Sequence, residues 1–266
     1  MPKVSVVMSV YNGEEYVKHA VESILAQTFK DFEYIIINDG STDGTPAILA
    51  TYDDPRVKVV HQSNLGLTRS LNRGIKLAQG EYIARMDADD IALPERLERQ
   101  VEFMEANPDV GVVGTAYYEI DSRGKIVGKK VFPLQDRELR RALIRYNPLF
   151  HGSVMIRKAV FEKVGLYNES FIRSQDYELW FRIAKHFKLA NLPEPLMMRR
   201  YGAANISVAS ERQQIAFAIR ARLKAIREGQ YPWYCIIYLI RPLIAMGAPR
   251  LAKDYVRKYV LKSKRW

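Results

Sequence analysis

A single cysteine, Cys235, stands in the 266 residues, so no internal disulfide is possible and the chain fits a reducing compartment. A run of about 20 apolar residues, the length a spanning helix needs, is also missing. The strongest apolar stretch, Trp233 to Pro249, is broken by Arg241 and Pro242 and reads as an interfacial or re-entrant hairpin. Met1-Pro2-Lys3-Val4 passes straight into a strand pattern without the apolar core and cleavage site of a secretory signal, so the body of the chain is expected to stay unexported. No Gly-x-Gly-x-x-Gly follows the first apolar strand, where only Gly13 occurs, and this disfavours a dinucleotide oxidoreductase. Internal repeats, low-complexity tracts and flexible linkers are absent from the sequence as well.

What is present describes a globular protein: 48% hydrophobic and 27% charged residues, in a length that suits one large α/β domain with an appendage. The net charge of +11 is unevenly placed. Residues 1–210 carry 28 Lys/Arg against 27 Asp/Glu, whereas residues 211–266 carry 13 against 3. The body is nearly neutral and the basicity belongs to the tail. No zinc-finger, RNP-type or basic-zipper pattern accompanies it, so nucleic acid is not an expected partner.

Val4 to Val10 is a β-branched run of strand length, followed by a helical face of Tyr16, Val17, Ala20, Val21, Ile24 and Leu25 within residues 14–27. Tyr34-Ile35-Ile36-Ile37 runs into the turn-rich Asn38-Asp39-Gly40-Ser41-Thr42-Asp43-Gly44. A helix over 45–52, a strand over 57–61, a helix over 67–79 and a strand over 81–86 follow. Apolar strands alternating with amphipathic helices predict a mostly parallel central sheet covered by helices on both faces. Ligands of such sheets sit beyond the carboxyl ends of the strands. Tyr11-Asn12, Asp39, and Asp87 with Asp89 all fall at such ends. After a helix over 94–106 the pattern loosens. Strands over 110–118 and 126–132, a helix over 135–146, a strand over 151–156 and a helix over 176–187 read as the mixed edge of the same sheet.

Asp87-Ala88-Asp89-Asp90 sets three carboxylates in four residues at a strand end, where they repel one another unless a cation lies among them. Mg²⁺ and Mn²⁺ take oxygen ligands and are commonly held by one or two carboxylates plus substrate phosphates. Asp39 can accept the imide N–H of a flat base, or serve instead as an Asx-turn or helix cap. Asp176, at the start of a helix, can cap it or act as a proton acceptor.

Together, Val6-Val7-Met8-Ser9-Val10-Tyr11-Asn12-Gly13-Glu14, Asn38-Asp39-Gly40-Ser41-Thr42-Asp43, Asn64-x-Gly66, Asp87-Ala88-Asp89-Asp90 and Ser174-Gln175-Asp176-Tyr177-Glu178-Leu179-Trp180 resemble the family-2 inverting glycosyltransferases. The similarity runs from Val4 to about Val208. It implies the A-type glycosyltransferase fold and a nucleotide-sugar donor, a UDP-sugar foremost. It implies that Ser9, Val10, Tyr11, Glu14, Asp39, Asn64, Asp87, Ala88 and Asp89 bind that donor, with Asp89 a direct ligand of Mn²⁺ or Mg²⁺ and Asp87 on the ribose and metal side. It makes Asp176 the general base, with His151, Gln175 and Glu178 on the acceptor side. Two departures stand out. Leu71 occupies a position where many members carry Arg, leaving Arg69 or Arg73 as substitutes. Tyr201 occupies a position where relatives often have His, leaving Arg199 or Arg200 to supply positive charge. His19, His61 and His186 read as surface or packing residues.

The expected organisation is a catalytic domain over 1–210, with a nucleotide-binding half (1–106) and an acceptor-side half (107–210), and a helical basic tail over 211–266. In the tail, Leu251, Tyr255 and Tyr259 recur every four residues among Lys253, Arg257, Lys258, Lys262, Lys264 and Arg265. That is the pattern of a basic amphipathic helix lying on an anionic membrane. The expected partners are therefore the donor, a glycan or lipid-linked saccharide acceptor and the inner face of the cell membrane, with a homo-oligomer left open. A nucleotidyltransferase and a non-catalytic membrane scaffold are the rival readings.

Overall fold

Val4, Val6, Met8 and Val10 of strand β1 (Val4–Val10) are buried on one face of a sheet and Val7 on the other, the signature of a strand with helices above and below. A computed structural model of the protein describes residues 1–201 and 211–247. The basic stripe expected at 251–265 lies outside the described residues.

On either side of β1 run β2 (Phe32–Asp39) and β4 (Tyr82–Asp87), and β3 (Val57–Gln62) lies beyond β2, all parallel. The sheet continues past β4 through an antiparallel strand, β8 (Met155–Arg157), to the long parallel pair β6 (Val110–Ile120) and β9 (Lys188–Arg200). The two-residue β5 (Ile91–Ala92) closes the far edge against β9, and β7 (Ile126–Lys130) forms a hairpin with β6. The spatial order is β3-β2-β1-β4-β8-β6-β9-β5.

Helices cover both faces. Val17, Ala20, Val21 and Ile24 of α1 (Val17–Leu25), Leu49 of α2 (Thr45–Leu49) and Leu97, Val101 and Met104 of α4 (Arg96–Ala106) pack with Val6, Met8, Tyr34 and Ile36. On the opposite face, Leu71 and Ile75 of α3 (Leu67–Leu77) cover Val7, Ile35, Ile37 and Ile83. That layer continues with α5 (Asp136–Leu143), α6 (Lys158–Val164) and α7 (Gln175–Ile183), whose Trp180 is fully buried. Helix α8 (Glu211–Arg227) lies against α7, and a 3-10 turn (Trp233–Leu239) leads into α9 (Ile240–Gly247). Among the described residues no helix is long and apolar enough to cross a membrane.

Besides β5 and α6, which the sequence pattern did not announce, two elements differ from it. His151–Ser153 is a 3-10 turn, not the start of a strand; the Ser153 amide donates back to the Phe150 carbonyl, and only Met155–Arg157 pairs in the sheet. The 13-residue β9 is hidden in the sequence by Pro193 and Pro195, which remove two ladder donors. Its pairing with β6 shifts register at Thr115–Ala116, opposite that interruption.

Candidate functional site

The four parallel strands release their chains at one edge. Val10 pairs with Asn38, Asp39 with Gln62, and Ser9 with Asp87. Asp39 and Asp87 therefore flank β1 from either side, roughly 10 Å apart by strand spacing.

The loop after β1 is stitched to the loop after β2. The Asn12 amide donates to Ser41 Oγ (3.0 Å), the Thr42 amide to Asn12 Oδ1 (2.8 Å), the Gly13 amide to Thr45 Oγ1 (2.9 Å) and the Glu14 amide to Asp43 Oδ2 (3.1 Å). Asn12 adopts the left-handed conformation (φ 50°), which Asn tolerates better than most residues. Glu14 is itself a latch, its Oε2 accepting the Gly44 amide at 2.6 Å. Val10 is buried and Ser9 half-buried, while the Tyr11 ring projects into solvent at the edge.

Asp39 is buried and does not cap α2, a role taken by Asp43 Oδ1, which accepts the Thr45 amide at 3.0 Å. Its Oδ1 accepts from Gln62 Nε2 (2.7 Å) and the Leu65 amide (2.8 Å), and its Oδ2 from the Gly66 amide (2.9 Å). The carboxylate thus pins the loop bearing exposed Asn64. Gly40 (φ 76°) lies under the same loop, and a Cβ there would come within 2.6 Å of the Asn64 amide nitrogen. Gly40→Ala is expected to cost about 1–3 kcal/mol from the left-handed backbone alone. Thermal denaturation reads that loss, and the displaced 63–66 loop lowers nucleotide affinity in parallel. Of the two candidate arginines, Arg69 pairs with Glu169 (3.2 Å), whereas Arg73 donates to Gln62 Oε1 (2.8 Å), the residue that holds Asp39. Leu71 is core.

Beyond β4 the acidic motif is crowded. Asp87 Oδ1 accepts from Arg85 Nη2 at 2.6 Å. Burial pushes the Asp87 carboxyl up, but Arg85, with His151 and Arg199, outweighs it and holds the group below the usual carboxylate range. Asp89 is pushed up to about 6 by burial and then by the Asp87 charge, and buried Asp90 well above its ordinary value by burial, Asp87 and Asp89. The turn over 151–153 closes down on this cluster. A Cβ on Gly152 would stand 2.7 Å from Asp87 Oδ2 and 3.0 Å from Asp90 Oδ2, so a larger residue there would displace these carboxylates. The donor set suits a hard divalent cation. Two carboxylates driven toward protonation by their neighbours would be relieved by it, and the motif offers oxygen ligands only. Among the described residues no three His, Cys, Asp or Glu side chains converge as a ready cage, so such an ion would need further oxygens from a phosphate.

Arg199 and Arg200 divide the work at the end of β9. Arg200 donates to the backbone carbonyls of Asp89 (3.1 Å), Asp121 and Ser122 (3.0 Å each) and stacks on Tyr16, while its amide donates to Asp90 Oδ1 (2.9 Å). Arg199 lies against the Tyr117 and Phe150 rings, and its charge acts on all three aspartates of the motif. It is the side-chain cation of the pair at this site; Tyr201 is exposed.

Asp176, half-buried near the start of α7, accepts from Asn147 Nδ2 at 2.7 Å. Between it and Asp87 sits His151, whose Nε2 bonds Tyr167 Oη (2.8 Å) and whose ring meets Trp180 edge-on. Burial, then Arg85, lowers its pKa to about 4 against the opposing pull of Asp176 and Asp87, so the imidazole is neutral near pH 7. Gln175 is buried beside Asp176. Glu178 departs from the acceptor-side expectation. It is buried, with Oε2 accepting from Arg182 (2.9 Å) and Oε1 from Lys224 of α8 (2.7 Å), because two residues, about half a helical turn, carry it from the Asp176 side to the α7–α8 contact. Glu178→Gln is expected to lose about 1–2 kcal/mol of stability, because Lys224 is partly exposed and Arg182 keeps the carbonyls of Val164, Gly165 and Leu166, with kcat per folded molecule unchanged. A urea melt and an active-site titration separate the two.

The sequence pattern missed Arg85, Gln62, Asn147 and Tyr167. Arg85 had a signal, since a charge inside the apolar run Tyr82–Met86 must be compensated; it is 3% exposed, and its Nε and Nη1 find no partner among the described residues. A groove of about 760 Å³ between α4 and the 194–196 stretch of β9 is lined by none of these residues.

A model of the family described as "Glycosyl transferase family 2" matches residues 5–165. The putative glycosyltransferase EpsE of Bacillus subtilis (strain 168) is 34% identical over 275 residues, spanning 99% of this chain and 96% of that protein. Among solved structures, S. aureus TarS 1–349 in complex with UDP-GlcNAc superposes with a TM-score of 0.72 at 19% identity, covering 97% of this chain and 76% of that one. Mannosyltransferase PcManGT from Pyrobaculum calidifontis, in complex with GDP-Man and Mn²⁺, gives 0.65 at 19% identity, covering 98% and 80%. The relative and the two solved structures span both the parallel half and the β6–β9 half of the sheet, whereas the family model stops before β9.

Proposed function

The chain belongs to glycosyl transferase family 2, and from that premise we propose that it transfers a sugar with inversion from a UDP-sugar to a hydroxyl of a glycan or lipid-linked acceptor. The observation that carries this reading is the set of carboxylates gathered here: Asp39 and Asp87 at the parallel strand ends, Asp89 just beyond, and Asp176 at the start of α7, whose charge acts with that of Asp87 on His151. It matches the order base, diphosphate, sugar and acceptor that a bound nucleotide-sugar would have. TarS solved with UDP-GlcNAc and PcManGT solved with GDP-Man and Mn²⁺ support the donor class and the cation.

In this reading Tyr11 offers its ring to the base, and Asp39 reaches the imide N–H with the acceptor capacity its three hydrogen bonds leave. Asp89 and Asp87 would hold Mn²⁺ or Mg²⁺, which when bound neutralises the diphosphate as it departs. Arg199, on the same side of the acidic motif, adds positive charge where the leaving group gathers its negative charge. The acceptor hydroxyl attacks the anomeric carbon opposite the departing oxygen, and Asp176, oriented by Asn147, accepts the hydroxyl proton. Neutral His151, fixed by Tyr167, lines the space between donor and base and can offer a hydrogen bond to a sugar hydroxyl. The basic tail would hold the enzyme on the inner membrane face.

A thermal-shift screen of UDP-, GDP- and dTDP-sugars with Mn²⁺ tests the reading. Selective stabilisation by one UDP-sugar, lost in excess chelator, is the expected result. Stabilisation by a nucleoside triphosphate with pyrophosphate release would instead identify a nucleotidyltransferase, and no response to any nucleotide would leave the scaffold reading standing.

A further inference from the structure

From Trp233 onward the chain turns an apolar face outward. Trp233 is 79% exposed, Ile237 60%, Ile240 53% and Ile244 67%, with Tyr234 and Leu243 at least half exposed beside them. In the 3-10 turn the exposed residues surround the buried Cys235 and Leu239, and in α9 Ile240, Leu243 and Ile244 fall three to four apart, so the outward side of the segment is apolar. Scattered apolar residues on a surface need no explanation, but a continuous stripe of this kind marks a docking surface.

The opposite side is firmly seated. Cys235 and Leu239 are buried, Arg222 of α8 donates to the Tyr238 carbonyl (3.2 Å), and Arg145 donates to Tyr238 Oη (3.0 Å) while lying over its ring. That last contact leads back to the site. Two residues after Arg145, Asn147 holds Asp176, and α8 itself packs on the helix that bears Asp176. The apolar face and the acceptor end of the site therefore belong to one packed unit.

We propose that this face docks on an anionic lipid bilayer and presents the Asp176 end of the site to it, an inference that rests on the reading of Asp176 as the acceptor-side base. The chemistry of the segment selects the partner. From Gly229 to Trp266 the sequence holds eight Lys/Arg and one acidic residue, Asp254, and combines them with the Trp and Tyr that favour a membrane–water boundary.

Flotation of the full chain with vesicles tests the proposal, using phosphatidylcholine alone or mixed with phosphatidylglycerol. The wild type is expected to float with the anionic vesicles, and Ile237→Ser/Ile240→Ser/Ile244→Ser to partition roughly a hundredfold less, since each exposed isoleucine loses most of its transfer energy. A fluorophore on Tyr146→Cys, next to Asn147, is expected to be quenched by nitroxide-labelled lipid, and one on Lys58→Cys, at the far edge of the sheet, to be unaffected. The thermal shift with UDP is measured on the same triple variant. If nucleotide binding is absent from wild type and variant alike, the transferase reading fails while the vesicle result still stands or falls by itself. Equal flotation of the triple variant, no flotation of the wild type, an unquenched label at 146, or a wild-type dimer that the triple variant converts to monomer would each overturn the proposal.

Discussion

Asp176→Asn is expected to lower kcat about a thousandfold while leaving the dissociation constant for UDP within about twofold of wild type. The side chain sits at the start of α7 and accepts from Asn147, so an amide of the same shape fits the same place. It cannot take a proton from the attacking hydroxyl. The donor side is untouched, because Asp39 and its partners Gln62, Leu65 and Gly66 lie on other strands and loops. Single-turnover rates together with UDP titrations check both halves. A wild-type rate would remove Asp176 from the chemistry, and a parallel loss of UDP binding would make it a donor-side or folding residue.

Asp89→Asn is expected to raise the dissociation constant for UDP about a hundredfold in the presence of Mn²⁺ and to leave it nearly unchanged in excess chelator. Crowding of three carboxylates is the cause. Asp87 is held ionised by Arg85, and Asp89 and Asp90 are pushed the other way by burial and by their neighbours. Removing the Asp89 charge removes part of what attracts a cation and relieves the strain that cation would otherwise compensate. The variant should for that reason be no less stable than wild type without metal. Calorimetric titration with and without Mn²⁺ separates this from a general defect, since equal weakening in both conditions would contradict a metal role.

Much of the sheet was legible from pattern alone, for a physical reason. Val4–Val10, Tyr34–Ile37 and Tyr82–Met86 are buried on both faces and so read as mostly apolar runs, and the chemistry of a parallel sheet must gather where those runs end. Asp39, Asp87 and Asp89 could be placed at one edge on that basis. What escaped the sequence depends on contacts between distant segments. Asn147 reaches Asp176 and Tyr167 reaches His151 only through the packing of α5, α6 and α7, and no local spacing announces either pair. Glu178 illustrates the opposite error. Two residues after Asp176 it looked like part of the site, yet the helical turn points it at Arg182 and Lys224. The choice between Arg199 and Arg200 was likewise open in sequence. In the structure Arg200 reaches backbone carbonyls at the end of β9, while the charge of Arg199 acts on the acidic motif.

The central claim is that one strand-end edge grips both ends of a nucleotide diphosphate. A crystal structure of the protein with UDP and Mn²⁺ tests it most directly. The account predicts the uracil imide within hydrogen-bonding distance of Asp39 and the diphosphate joined through the metal to Asp89. Nucleotide found in the groove beside Glu98 and Glu194, with Asp39 and Asp89 untouched, would contradict it.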